Sequence, residues 1–180
     1  MDKTPTIKGI FVNSHVKKVR QEKGEEGVRE LEKKFGMKID FRNFEDIPVR
    51  EEVHLIECAL EILEGRSIPD DKKHFEAGRL HFKNFSQTPF GRIIFSQFKN
   101  QFKMLMMNAP NIAGHVFKHV KFYSDDMGPK EVRVTMENND YPIDHFRGLF
   151  QEWMEFSGLK GTVEAQETAL NRYVYIIRWL

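Results

Sequence analysis

Residues 129–180 read PKEVRVTMENNDYPIDHFRGLFQEWMEFSGLKGTVEAQETALNRYVYIIRWL, and this stretch decides the fold class. Val132, Val134 and Met136 alternate with Arg133, Thr135 and Glu137, the period of a strand with one buried face. Asn138 to Asp140 end it, and Pro142 supplies a first-turn proline for a helix. That helix keeps Ile143, Phe146, Leu149, Phe150 and Trp153 on one side as far as Gly158. Alternation returns over Thr162 to Thr168, a short link Ala169 to Asn171 follows, and Tyr173 to Trp179 is an apolar strand close enough to form a hairpin. The unit is strand, helix, strand, strand. Lys121 to Asp126 reads equally as a helix tail or an extra strand, so the sheet has three strands or four.

Upstream, the apolar spacing is helical. Ile10, Val12, Val16 and Val19 are interrupted by Gly24, and Val28, Leu31 and Phe35 end at Gly36, which predicts two short helices. Met37 to Asp46 has no regular period. Pro48 opens the strongest helix, with Val49, Val53, Ile56, Leu60 and Leu63 closed by Gly65. Pro69, Asp70 and Asp71 open another carrying Phe75, Leu80, Phe82 and Phe85. Thr88 then caps a segment with Ile93, Ile94, Phe95 and Phe98. A Met-rich run, Met104 to Met107, stops at Pro110, and Asn111 to His119 makes a further helix. The expected architecture is α+β in a single domain, 1–180. A helical bundle fills 1–120, and a small antiparallel sheet with one inserted helix fills 121–180.

Composition removes several classes of function. A net charge of +1 gives no chain-wide basic field for phosphate backbones, so nucleic acid is not an expected partner. Lys17, Lys18 and Arg20 are diluted by Glu22, Glu25, Glu26 and Glu30 and read as a solvated helix face. Cys58 is the sole cysteine, which excludes an internal disulfide and a cysteine-rich zinc cluster. Met1 to Thr6 has no apolar segment of the secretory kind, and no apolar run approaches a membrane span, so the expected location is cytoplasmic without membrane insertion.

Catalytic motifs are absent. There is no G-x-S-x-G elbow, no G-x-x-x-x-G-K and no G-x-G-x-x-G, and Cys58 reads as a small core residue. His115 and His119, four residues apart, would share one face of a helix as metal ligands do, with His74, His81 or His145 as a third donor; Val116 stands where an HExxH hydrolase has glutamate. Surface or partly buried histidines are the preferred reading of that pair, so no metal or other cofactor is expected. The sixteen phenylalanines exceed the evident need of a small core. They read first as core or dimer interface, second as the wall of an apolar pocket; Met104, Met106 and Met107 suit either.

Gly9 with Ile10 and Phe11, a glycine within Glu22 to Gly27, Phe35 with Gly36, Phe146 to Gly158, and the tryptophan-bearing strand Tyr173 to Trp179 together resemble a myxobacterial paralogous family of uncharacterised bacterial domains. The resemblance spans nearly the whole chain. That family looks related to haem nitric-oxide-binding domains, vinyl-four-reductase ligand-binding domains and TRAPP components. What this implies is a sensory or scaffold domain, without implying haem, because the Y-x-S-x-R motif of haem-binding members is missing.

The function expected first is therefore a non-enzymatic signalling domain that binds a small apolar or amphipathic molecule between the middle helices and the sheet. Phe95, Phe98, Phe102, Met106, Phe117, Phe150 and Trp153 are its expected lining. The alternative is a protein-interaction or homodimerisation module without ligand, and a metal- or haem-dependent sensor comes third. An enzyme would require His115, His119 and Asp125 or Asp126 to converge in one cleft.

Overall fold

The computed structural model describes residues 3–97 and 101–180. Its helices obey the punctuation in the sequence. Gly36 (φ 89°) and Gly65 (φ 67°) close α1 (Gly9–Phe35) and α2 (Val49–Glu64) in the left-handed conformation that glycine adopts without strain. Gly24, at φ 66° and ψ −164°, breaks α1 in its middle, so the two expected short helices run on as one kinked element. α3 (Asp70–Gln87) begins with its two aspartates against the positive end of the helix dipole. Thr88 Oγ1 accepts the Gly91 N–H at 3.0 Å and so caps α4 (Pro89–Gln97).

The next segment departs from expectation twice. α5 (Phe102–Met107) is followed at once by α6 (Ala109–Val116), in which Pro110 sits in the first turn, where its missing N–H costs nothing. α6 then ends at Val116, because the chain from Phe117 turns extended to pair in a sheet. The expected helix to His119 is thus cut short.

A small sheet that the periodicity did not announce joins the chain's beginning to its middle. β1 (Thr6–Lys8) lies between β2 (Asp46–Pro48) and β3 (Phe117–Lys118), with Ile7 opposite both Ile47 and Phe117. The main sheet has four strands: β4 (Lys121–Gly128), β5 (Glu131–Glu137), β6 (Gly161–Ala169) and β7 (Arg172–Trp179), in the antiparallel order β4-β5-β7-β6. The open choice at 121–126 is settled as a strand. Register places Val132 opposite Ile177 and Val134 opposite Tyr175, so one face is fully buried under α7 (Ile143–Phe156).

One core fills the space between that face, α7 and α3, through Phe82, Phe146, Phe150 and Trp153; a second packs α1 and α2 on the small sheet through Ile7, Val12, Leu31 and Leu55. Much of the phenylalanine excess is absorbed here, with Phe82 stacked on Trp153 at 5.6 Å and Phe95 edge-on to both. Among the described residues no helix is long and apolar enough to cross a membrane.

The crossing of α3 and α7 is close enough for backbone to touch backbone. A Cβ on Gly78 would lie 1.7 Å from the His145 carbonyl oxygen, and one on Gly148 would lie 2.0 Å from that of Phe75. His81, one helical turn beyond Gly78, is thereby brought against His145.

Candidate functional site

Where the helices converge between the two cores, the interior is polar. α1 contributes His15, the first turn of α2 Glu52, α3 His81 and Asn84, and the entry to α7 Tyr141 and His145; all six side chains are buried. Asn84 Nδ2 donates to His15 Nδ1 at 2.9 Å, which leaves the proton on His15 Nε2 to be donated to Glu52 Oε1 at 2.7 Å. His81 Nδ1 lies 2.9 Å from His145 Nε2 and 3.5 Å from the same Glu52 oxygen. One donor atom each of His15, Glu52 and His81 fall within 4.8 Å of one another.

The ion-pair partners of Glu52 are imidazoles, His15 and His81. Burial alone pushes its carboxyl upward, while His81, His15 and His145 draw it down to about 2. Burial meanwhile pushes His81 down to about 4 and His145 to about 3. An imidazole that is neutral cannot stabilise a carboxylate by charge, whereas the hydrogen bond from His15 favours the ionised form of Glu52 directly. Burial also drives the Tyr141 phenol well above its ordinary range. Its hydroxyl faces the Glu52 carboxylate without a well-formed hydrogen bond, and Glu52 Oε2 and His145 Nδ1 are buried without partners.

His81 also borders an apolar cavity of about 50 Å³ between α3, α6, α7 and β4. Phe117, Phe150 and Trp153 line it, together with Phe82, Ala109, Ala113 and Phe146. Of the other residues expected in such a lining, Phe95 packs edge-on to Trp153, Phe102 sits between Trp153 and Trp179, and Met106 is buried in the same core. Phe98 lies outside the described residues.

The structure does not unite the histidine pair. His115 is edge-on to Phe90, and His119, at φ 69° beyond the end of α6, borders a surface hollow with Lys3 and Lys121. Asp125 pairs with Arg133, and Asp126 with Lys103, so neither meets these imidazoles. His74 bonds Glu57 at 2.7 Å, apart from the central cluster. Of the histidines named as third donors, His81 and His145 are the ones brought together. Cys58 is a buried thiol whose titration burial pushes upward, in keeping with a core role. Lys17 and Lys18 border an open polar groove with Lys83 and Arg92, on a solvated face.

His15 and Glu52 were missed, although the spacing held a signal. His15 comes three residues after Val12 and four before Val19, and Glu52 three after Val49 and four before Ile56, so both interrupt apolar stripes.

A haem does not fit these residues. The apolar space holds a molecule of a few heavy atoms rather than a macrocycle, and α6 turns Ala109, Ile112, Ala113 and Val116 towards it instead of a histidine. His81 is the imidazole on its wall, and its Nδ1 is engaged with His145.

Among curated proteins nothing matches this chain. Solved structures with the same fold include an oxygen-binding H-NOX domain related to soluble guanylate cyclases, in its oxygen complex, at 17% identity and TM-score 0.67, covering 96% of this chain and 95% of that one. A structure bearing on the molecular mechanism of H-NOX activation matches at 19% identity and TM-score 0.70, covering 96% of each chain. The Fe(II) unliganded H-NOX protein from K. algicida matches at 14% and 0.64, covering 97% of each chain. At such identities the likeness establishes the α+β fold. A family model described as protein of unknown function (DUF2378) matches residues 3–180, and the chain belongs to that family, an uncharacterised one that shares the H-NOX fold.

Proposed function

We propose that the chain is a non-enzymatic sensory domain that takes one small apolar molecule into the cavity between α3, α6 and α7. The observation that carries this reading is that His81 belongs both to the wall of that cavity and to the buried polar cluster. An occupant pressing on α6 or α7 would move a group hydrogen-bonded across the α3–α7 crossing. A small displacement there alters a network linking four helices, and the ligand's differential affinity for the two packings is the signal. The likeness to an oxygen-binding H-NOX domain supports a small-molecule ligand, and the size of the cavity favours one of a few atoms without haem.

Xenon is a suitable probe, being apolar and compact enough for a space of this order. Xenon NMR of the purified chain is expected to show one saturable site. Ala113→Leu, which fills the cavity from α6, should abolish it. Absence of specific binding to the natural chain, or equal binding to the filled variant, would overturn the reading. Native mass spectrometry beside the denatured mass gives the complementary result: a retained small molecule supports a sensor, whereas a clean unliganded dimer moves the assignment to an interaction module.

A further inference from the structure

We infer that His15, Glu52 and His81 form a site for one divalent first-row transition ion, zinc by donor chemistry, with His145 placed to enter as a fourth ligand. Two imidazoles and a carboxylate are a donor set that zinc accepts in tetrahedral geometry. Metal–ligand bonds of about 2.0–2.2 Å require donors about 3.3 Å apart in a tetrahedron. His81 Nδ1 and Glu52 Oε1, at 3.5 Å, already meet this; His15 and Glu52, at 2.7 Å, must open by about half an ångström as their shared proton leaves. His145 Nε2, 2.9 Å from His81 Nδ1, needs a comparable movement.

A proton-linked polar network is the rival reading, and it leaves two things unexplained. Glu52 is wholly buried, yet among the described residues its ion-pair partners are histidines, with no lysine or arginine to compensate its charge. Its second oxygen, Oε2, is also buried without a hydrogen-bond partner, and an orphaned buried carboxylate oxygen calls for one. A cation between His15, Glu52 and His81 supplies the charge. Bidentate engagement by the carboxylate would also satisfy Oε2. For His15 to bind through Nε2 its proton must move to Nδ1, and a half-turn of the Asn84 amide provides the oxygen to receive it. The donors come from three helices, so the ion would be enclosed as they pack and would link metal occupancy to folding. This inference stands apart from the apolar cavity, which could bind xenon with or without the ion.

The test is to purify the full chain, without chelator, from zinc- and from cobalt-supplemented medium. About one ion per chain is expected by elemental analysis, with the strong visible absorption of tetrahedral cobalt in the second preparation. Glu52→Gln and His81→Gln should lower occupancy at least tenfold, and the double variant His115→Ala, His119→Ala should not. Should the cluster variants fail to fold, the natural chain still decides the matter. Metal well below stoichiometric in both preparations, or an octahedral cobalt spectrum, overturns the site, as does full occupancy in folded Glu52→Gln protein.

Discussion

Replacing Gly78 by alanine tests how the α3–α7 crossing builds the site. The new Cβ would fall 1.7 Å from the His145 carbonyl oxygen, where ordinary contact needs more than 3 Å, so the helices must separate by about 1.5 Å. The obstacle is backbone, which no rotamer change relieves. Overpacking of this kind costs about 1–3 kcal/mol and sometimes more, and the better helix propensity of alanine returns up to about 1 kcal/mol. A backbone obstacle at 1.7 Å puts the cost at about 3 kcal/mol, the upper end of that range, so a net loss of about 2 kcal/mol is expected in the urea midpoint followed by far-ultraviolet circular dichroism. Gly148→Ala, whose Cβ would meet the Phe75 carbonyl oxygen at 2.0 Å, should behave alike, and the double variant should lose less than the sum because one separation relieves both. Gly114→Ala is the internal control: nothing lies within 4 Å of its added carbon, so it should be neutral or stabilising. A Gly78→Ala protein as stable as the parent would refute the close crossing, and with it the reason His81 meets His145.

Alkaline titration should reveal Tyr175, buried with its hydroxyl donating to the Ile143 carbonyl at 3.1 Å and held well above its ordinary pKa by burial. Because the folded pKa is raised above the unfolded value of 10.0, its stabilisation is whole below pH 10 and is lost at about 1.4 kcal/mol per pH unit above it; Tyr175→Phe should take that share from the slope and leave the one due to Tyr141, and an unchanged slope would count against it. Asn84→Ala removes the donor to His15 Nδ1 and should cost about 1–3 kcal/mol in the same urea assay, as a buried acceptor loses its partner. Gly24→Ala should destabilise by about 1–3 kcal/mol, since φ 66° with ψ −164° is a glycine conformation; a more stable variant would mean that α1 straightens readily. Incubation with haemin should give no stoichiometric Soret band, and a saturable one would reverse the conclusion on fit.

The C-terminal unit was legible because its side chains alternate against one buried face. Val132, Val134 and Met136 are fully buried in β5, and the helix over Ile143–Phe156 keeps its apolar side on the sheet. Local caps were legible for the same reason, as at Gly65 and Thr88. The small sheet was not. β1 and β2 have three residues each and β3 two, too short for any period, and they exist because Ile7 is enclosed between Ile47 and Phe117 in space. That same pairing stops α6 at Val116 and moves His119 off the helix, so the shared helix face expected for His115 and His119 is lost to a tertiary contact that spacing does not encode.

The central cluster was hidden differently. His15, Glu52, His81 and His145 are separated by 37, 29 and 64 positions, and no local spacing links one helix's contribution to the next. What marks it is a conflict between levels: a carboxylate at Glu52 on a face that should be apolar costs several kcal/mol unless something opposite it compensates. In the fold, that something is a group of three imidazoles, of which His81 and His145 are brought together by a glycine crossing made for backbone contact. Such an arrangement is poor for stability compared with packed leucines, and breaking it by removing one partner is costly. A stability role alone therefore does not account for these residue types. Binding a cation, or reporting pressure from the neighbouring cavity through His81, would give them a use that apolar side chains cannot serve, and measuring metal stoichiometry and xenon occupancy separately distinguishes the two.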